Sequence, residues 1–148
     1  MKKSVAMLTV ALIGSPAAAW QLGKYDDHAT TRETVGHYII KLTCYRGQDY
    51  LGFELVDLTQ EGRGMETPVP LMIWITLPDG RTDKWSFRAT PEGPALAGTI
   101  PVSSLTLDHF GNGETLVLAA PTGDKEWLRT DMKGTGAARI AFRERCGL

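Results

Sequence analysis

Ser103, Ser104, Asp108 and His109 fall within one short stretch, and their types could do chemistry. A hydroxyl nucleophile needs an imidazole base within hydrogen-bond reach, and the base needs a carboxylate to orient it. One expectation is therefore a small serine hydrolase using Ser103 or Ser104 with His109. The same residues also serve as a helix cap and a surface turn, because a triad is recognised by geometry and not by proximity in sequence. Asp26, Asp27 and His28 carry oxygen and imidazole donors. Adjacent residues on an extended chain point alternately to opposite sides, so the three do not converge on one ion and no metal site is expected. Glu54 and Asp57 are a carboxylate pair whose separation in space the sequence leaves open. The chain has no H-E-x-x-H, no G-x-S-x-G and no P-loop. The favoured reading is a protein without catalysis or cofactor.

The aromatic residues point instead to binding. Leu71 to Phe87 reads as a β-hairpin around Pro78-Asp79-Gly80. Pro78 and Asp79 suit the two central positions of a type I turn, and Gly80 suits the left-handed position that closes a three-residue loop. That register sets Ile73 opposite Trp85 and Leu71 opposite Phe87 on one face. Met72 and Trp74 share the other face with Ser86 and Lys84. With Arg63 and Met65 in the preceding loop, Met72, Trp74 and Lys84 form the expected binding surface, since Trp, Met and Arg are enriched in interfaces. A second layer covering both hairpin faces, or Lys84 packing on the Trp74 ring, accounts for the same pattern.

The elements that position these residues are short strands separated by turn signals. Trp20 to Asp26, His37 to Tyr45, Tyr50 to Leu58, Leu96 to Ile100, Glu114 to Ala119 and Trp127 to Met132 are expected as strands. Asp27 to Gly36 is polar and Thr-rich and reads as a loop; Thr59 to Pro70 is the longest stretch without regular structure. Pro101 to Phe110 can form a helical turn or two starting near Ser103 or Ser104. A C-terminal helix capped by Thr135 should bury Ala137, Ile140, Ala141 and Glu144, leaving Arg139 and Arg143 on a solvated face. The expected fold is mainly β: an antiparallel β-sandwich or β-roll with a short C-terminal α-helix.

Residues 1–19 read as a signal peptide, with Lys2 and Lys3, an apolar run from Val5 to Ile13, and small residues up to Ala19. The apolar run is shorter than the roughly 20 residues that span a bilayer. Residues 20–148 then form a single β-rich domain with no membrane span, directed to the periplasm or secreted. Without Lys2 and Lys3 the domain has 14 Lys and Arg against 17 Asp and Glu, a charge of −3. That balance gives no electrostatic case for nucleic acid, so the expected partner is a protein or envelope component. Cys44 and Cys146 are the only cysteines, and export argues for a disulfide between them.

The leader, Trp20, the strand ending at Cys44, the turn at Asp79-Gly80, the Trp85-x-Phe87 pair, the Gly134-to-Ala138 helix start and the terminal Cys146 form one pattern. It resembles the invasion-associated locus B family and similar small periplasmic β-sandwich proteins of proteobacteria. The resemblance implies a non-enzymatic, virulence- or envelope-associated role. It carries over no site residue.

Overall fold

The structure, a computed structural model, describes residues 19–59 and 68–148. Arg63, Met65 and nearly all of the expected signal segment lie outside the described residues. The strands are β1 (Gln21–Lys24), β2 (His28–Val35), β3 (Tyr38–Tyr45), β4 (Tyr50–Asp57), β5 (Val69–Thr76), β6 (Thr82–Glu92), β7 (Ala95–Pro101), β8 (Thr115–Ala119) and β9 (Glu126–Asp131). Helix α1 (Ser104–Asn112) lies between β7 and β8, and α2 (Thr135–Cys146) follows β9. Among the described residues the strands form one antiparallel sheet in the order β1-β2-β3-β4-β7-β6-β5-β8-β9. The fold is mainly β with a C-terminal helix, as the turn spacing implies. Its single sheet curls into a half-barrel, where two facing sheets were one expectation.

Alternation along each strand sends one set of side chains inward. Ile40 and Leu42, Leu51, Phe53 and Leu55, Leu71, Ile73 and Ile75, Trp85 and Phe87, and Leu116 and Leu118 all lie buried on the inner face. The helices supply the other side of the core through Leu107, Phe110, Ala138, Ala141 and Phe142. Phe110 meets three rings: Trp20 edge-on at 5.6 Å, Trp85 at 5.9 Å and Phe142 at 6.4 Å. Such aromatic pairs add about 0.5–1.5 kcal/mol each beyond the area they bury.

The central hairpin has the expected register, with Ile73 opposite Trp85, Leu71 opposite Phe87 and Trp74 opposite Lys84. Leu77 N–H donates to the Arg81 carbonyl at 2.8 Å, and Gly80 N–H donates to the Leu77 carbonyl at 2.9 Å. Gly80 sits at φ +85°, so Pro78-Asp79-Gly80 is the three-residue loop with glycine in its left-handed position.

Two expectations are corrected. Residues 28–35 form β2, where Asp27 to Gly36 reads as a loop in sequence. Its inward residues are Ala29, Thr31 and Glu33, which hide the apolar alternation, while its threonines suit a pleated backbone. The second correction is the buried face of α2, which is Thr135, Ala138, Ala141, Phe142 and Cys146. Ala137 and Glu144 are exposed, as is Ile140 at 51%. Thr135 does not cap the helix; its hydroxyl donates to the Met132 carbonyl at 2.8 Å, and Gly134 is the N-cap at φ +97°. Arg139 and Arg143 both reach the Asp108 carboxylate on α1, at 3.4 and 2.8 Å, so they hold the two helices together at the surface.

Cys44 and Cys146 are joined by a disulfide, with Cα atoms 6.0 Å apart. The bridge fixes the C-terminal end of α2 to β3. Trp20 closes the other end. Its N–H donates to the Lys133 carbonyl at 2.9 Å and its indole N–H to the Asp131 carbonyl at 3.0 Å, linking the start of β1 to the end of β9.

Candidate functional site

Helix α1 decides the fate of the serine cluster. Ser103 is the N-cap: its Oγ accepts from Thr106 N–H at 3.3 Å while Thr106 Oγ1 accepts from Ser103 N–H at 2.7 Å, a reciprocal cap. Ser104 and His109 lie five residues apart on the helix, about 7.5 Å along the axis and about 140° around it. That spacing carries the hydroxyl and the ring away from each other. His109 Nδ1 instead lies 3.0 Å from the Asp83 carboxylate on β6. The same Asp83 oxygen accepts from the Trp85 indole N–H at 2.9 Å. Burial pushes the Asp83 carboxyl up, but the hydrogen bonds from His109, Trp85 and the Lys84 backbone outweigh it and hold the group below the usual carboxylate range. The Asp83–His109 pair thus joins α1 to the hairpin beneath it.

The other candidate chemistry is dispersed. Asp27 pairs with His28 at 2.7 Å, and Asp26 contributes only a backbone carbonyl, to Arg46. Among the described residues no group of three or more His, Cys, Asp or Glu could hold a metal ion. Glu54 points outward and pairs with Lys41 at 2.8 Å, whereas Asp57 is buried and accepts from Thr59. The strand alternation separates the two carboxylates onto opposite faces of β4.

The expected binding residues come together in part. Met72, Trp74 and Lys84 lie on the outer face of the hairpin, opposite the side covered by α1 and α2. The Lys84 ammonium stands 4.6 Å from the Trp74 ring centroid, a cation–π contact that occupies part of the ring. On its other side Trp74 pairs with Val117 of β8. There Trp74, Val117 and Ala119 line a depression of about 260 Å³, rimmed by Thr76, Thr82, Glu126 and Arg129. Arg129 and Glu126 hold each other bidentately at 3.0 and 3.1 Å, which fixes that rim.

A second surface was missed at the sequence level. A trough of about 470 Å³ crosses the outer face of β1, β2 and β3 and is lined by Gly23, Tyr25, His28, Thr30, Arg32 and Lys41 among others. Reading residues 27–36 as a loop removed the register that assembles it. The signal that could have found it was the Thr-Thr-x-x-Thr run, whose branched side chains favour a strand.

No known protein family, curated protein or solved structure matches this chain.

Proposed function

We propose that this chain is an exported binding protein without catalysis, and that it engages a protein partner through the outer face around Trp74. The observation that carries this reading is an amphipathic ring, half-buried in its own sheet, at the floor of a shallow depression with a fixed ionic rim. Buried aromatic anchors ringed by polar groups dominate measured interface energies. Export is supported by the leader-like start of the sequence and by the disulfide, which persists in oxidising compartments. Among the described residues no helix is long and apolar enough to cross a membrane. The likeness to the invasion-associated locus B family belongs to this proposal and adds an envelope-associated role. The rival reading, a hydrolase using Ser103 or Ser104, is weakened by the helical spacing from His109.

The test is capture of crosslinked partners from periplasmic extract with wild-type and Trp74→Ala protein, followed by affinity measurement on the partner recovered. Trp74→Ala should weaken binding by about 2 kcal/mol or more. Unchanged affinity would move the interface elsewhere. Repeated recovery of no partner would favour a purely structural envelope component.

A further inference from the structure

Register alone builds a groove with unlike walls at the β1 edge of the sheet. Gln21, Arg32 and Lys41 stand side by side across three strands and form a polar, cationic row. Gly23 and Thr30 are the next pair along and form the floor. Beyond them lie Tyr25 and His28, their rings stacked at 4.3 Å and 5° apart in plane, with Tyr45 stacked on the far side of His28 at 5.8 Å.

The floor is closely packed, and it can be so because residue 23 has no side chain. A Cβ there would stand 2.7 Å from Thr30 Oγ1 and 3.1 Å from the Tyr25 ring. Glycine at this position lets Thr30 and Tyr25 pack against the backbone of β1, since the residue's own conformation is ordinary extended strand. The edge of the Tyr25 ring packs over residue 23, and the residue is still 52% exposed.

The charges in the groove are unevenly matched. Lys41 is paired with Glu54 at 2.8 Å. Arg32 donates from Nε to the Gln21 side-chain carbonyl at 3.1 Å, and among the described residues it makes no ion pair. Its guanidinium is held by a neutral group, which leaves the positive charge uncompensated and the planar fork available for a carboxylate.

We propose that this trough binds an acidic saccharide, with a uronate ring seated against Tyr25 and its carboxylate on Arg32. Three features select that chemistry. The volume lies within the roughly 300–1,000 Å³ of small-ligand sites. The half-exposed Tyr25 ring, with one face stacked on His28, offers its other face to the C–H face of a pyranose, whose slightly positive hydrogens meet the negative face of the aromatic. The Thr30 hydroxyl and Gln21 amide supply both donors and acceptors for sugar hydroxyls. The floor pair is two residues along the strand from the Arg32 row, about 6.6 Å, the reach of one sugar ring and its carboxylate. The site is distinct from the Trp74 depression and does not rest on it.

The experiment is calorimetric titration of the purified protein, disulfide intact, with a galacturonic acid trisaccharide. Its uncharged methyl ester and an acidic tripeptide of Asp and Glu are titrated in parallel. The free acid should bind measurably below millimolar concentration, and the ester and the peptide at least tenfold more weakly. Arg32→Ala should weaken the acid at least tenfold and remove the preference over the ester. Tyr25→Ala should weaken acid and ester alike. Trp74→Ala should leave all three titrations unchanged, which keeps this site separate from the protein-binding surface. A hyaluronan tetrasaccharide extends the test to a glucuronate. Absence of binding to both saccharides at millimolar concentration overturns the proposal, as does equal binding of acid and ester or of acid and peptide. Unchanged affinity in Arg32→Ala, with its melting temperature at the wild-type value, also overturns it.

Discussion

Breaking the Cys44–Cys146 bridge should lower stability mainly by freeing the unfolded chain. The two cysteines are 102 residues apart, so the bridge closes most of the domain into a loop. The chain-entropy model assigns a loop of about 100 residues roughly 4.7 kcal/mol, and delivered values run nearer 2–4 kcal/mol. With an unfolding entropy of roughly 2.1 cal/mol/K per residue, a domain of about 130 residues loses about 4 °C of melting temperature per kcal/mol. Reduction should therefore cost about 7–15 °C in a thermal melt followed by circular dichroism. Both cysteines are buried, at 0% and 3% exposure, so a phosphine reductant should act during transient opening and not on the resting fold. The urea m-value supplies a second readout. A freed chain expands and exposes more surface on unfolding, so m should rise on reduction. A fall in melting temperature of under about 2 °C would refute the loop-closure reasoning. Rapid maleimide labelling of both thiols in the native protein, without reductant, would show that the bridge is absent.

Trp85→Ala should cost roughly 3–5 kcal/mol in urea unfolding, because it empties a fully packed inner position beside Phe110; a loss near that of Trp74→Ala would mean both hairpin faces are buried alike. Asp83 has its pKa depressed in the folded state, so its contribution to stability is present above the unfolded value near 3.9 and is lost as pH falls through the lower folded value. Denaturation curves from pH 5 downward should therefore fall less steeply for Asp83→Asn than for wild type, and identical slopes would remove Asp83 as the acid-sensitive group. Glu33 is buried, with Oε1 bonded to Thr34 N–H at 3.0 Å and Oε2 lacking a partner among the described residues. Glu33→Met should be neutral or raise the melting temperature, since it removes an uncompensated buried oxygen; a loss of more than about 1 kcal/mol would show that the oxygen is satisfied. Mass spectrometry of the native protein should find its N-terminus at or near Trp20, and an intact Met1 in the mature pool would contradict export.

The central hairpin was legible because its turn chemistry and its alternation agree. Proline, aspartate and glycine set the loop, and the loop set which residues face each other across eight pairs. Strand β2 was illegible because the signal for a half-buried strand is an apolar alternation, and here threonine and glutamate occupy the inner positions under α2. The α2 face was misread by one position among small residues that carry little directional signal. Cys146 could have corrected it: a bridge to β3 must point inward, and counting back in helical steps reaches Phe142, Ala138 and Thr135. The candidate site divides in the same way. Met72, Trp74 and Lys84 depend only on hairpin register, whereas the trough needs three strands in line, one of which the composition disguised.

The position of Trp20 has a consequence for how the molecule meets other chains. A sheet that curls halfway to a barrel ends in two edge strands, and unpaired edges are templates for strand addition and for aggregation. Here one edge is β1, only four residues long, and Trp20 ties its start to the backbone beyond β9. Trp20 thus joins the two edge strands at one end only, and the short β1 offers few open backbone groups to an incoming strand. Strand addition at this edge is therefore disfavoured, which leaves the other edge, β9, with six residues, as the longer backbone template. Side chains on the outer face, Trp74 and Arg32 among them, can change without disturbing a single rung of the ladder.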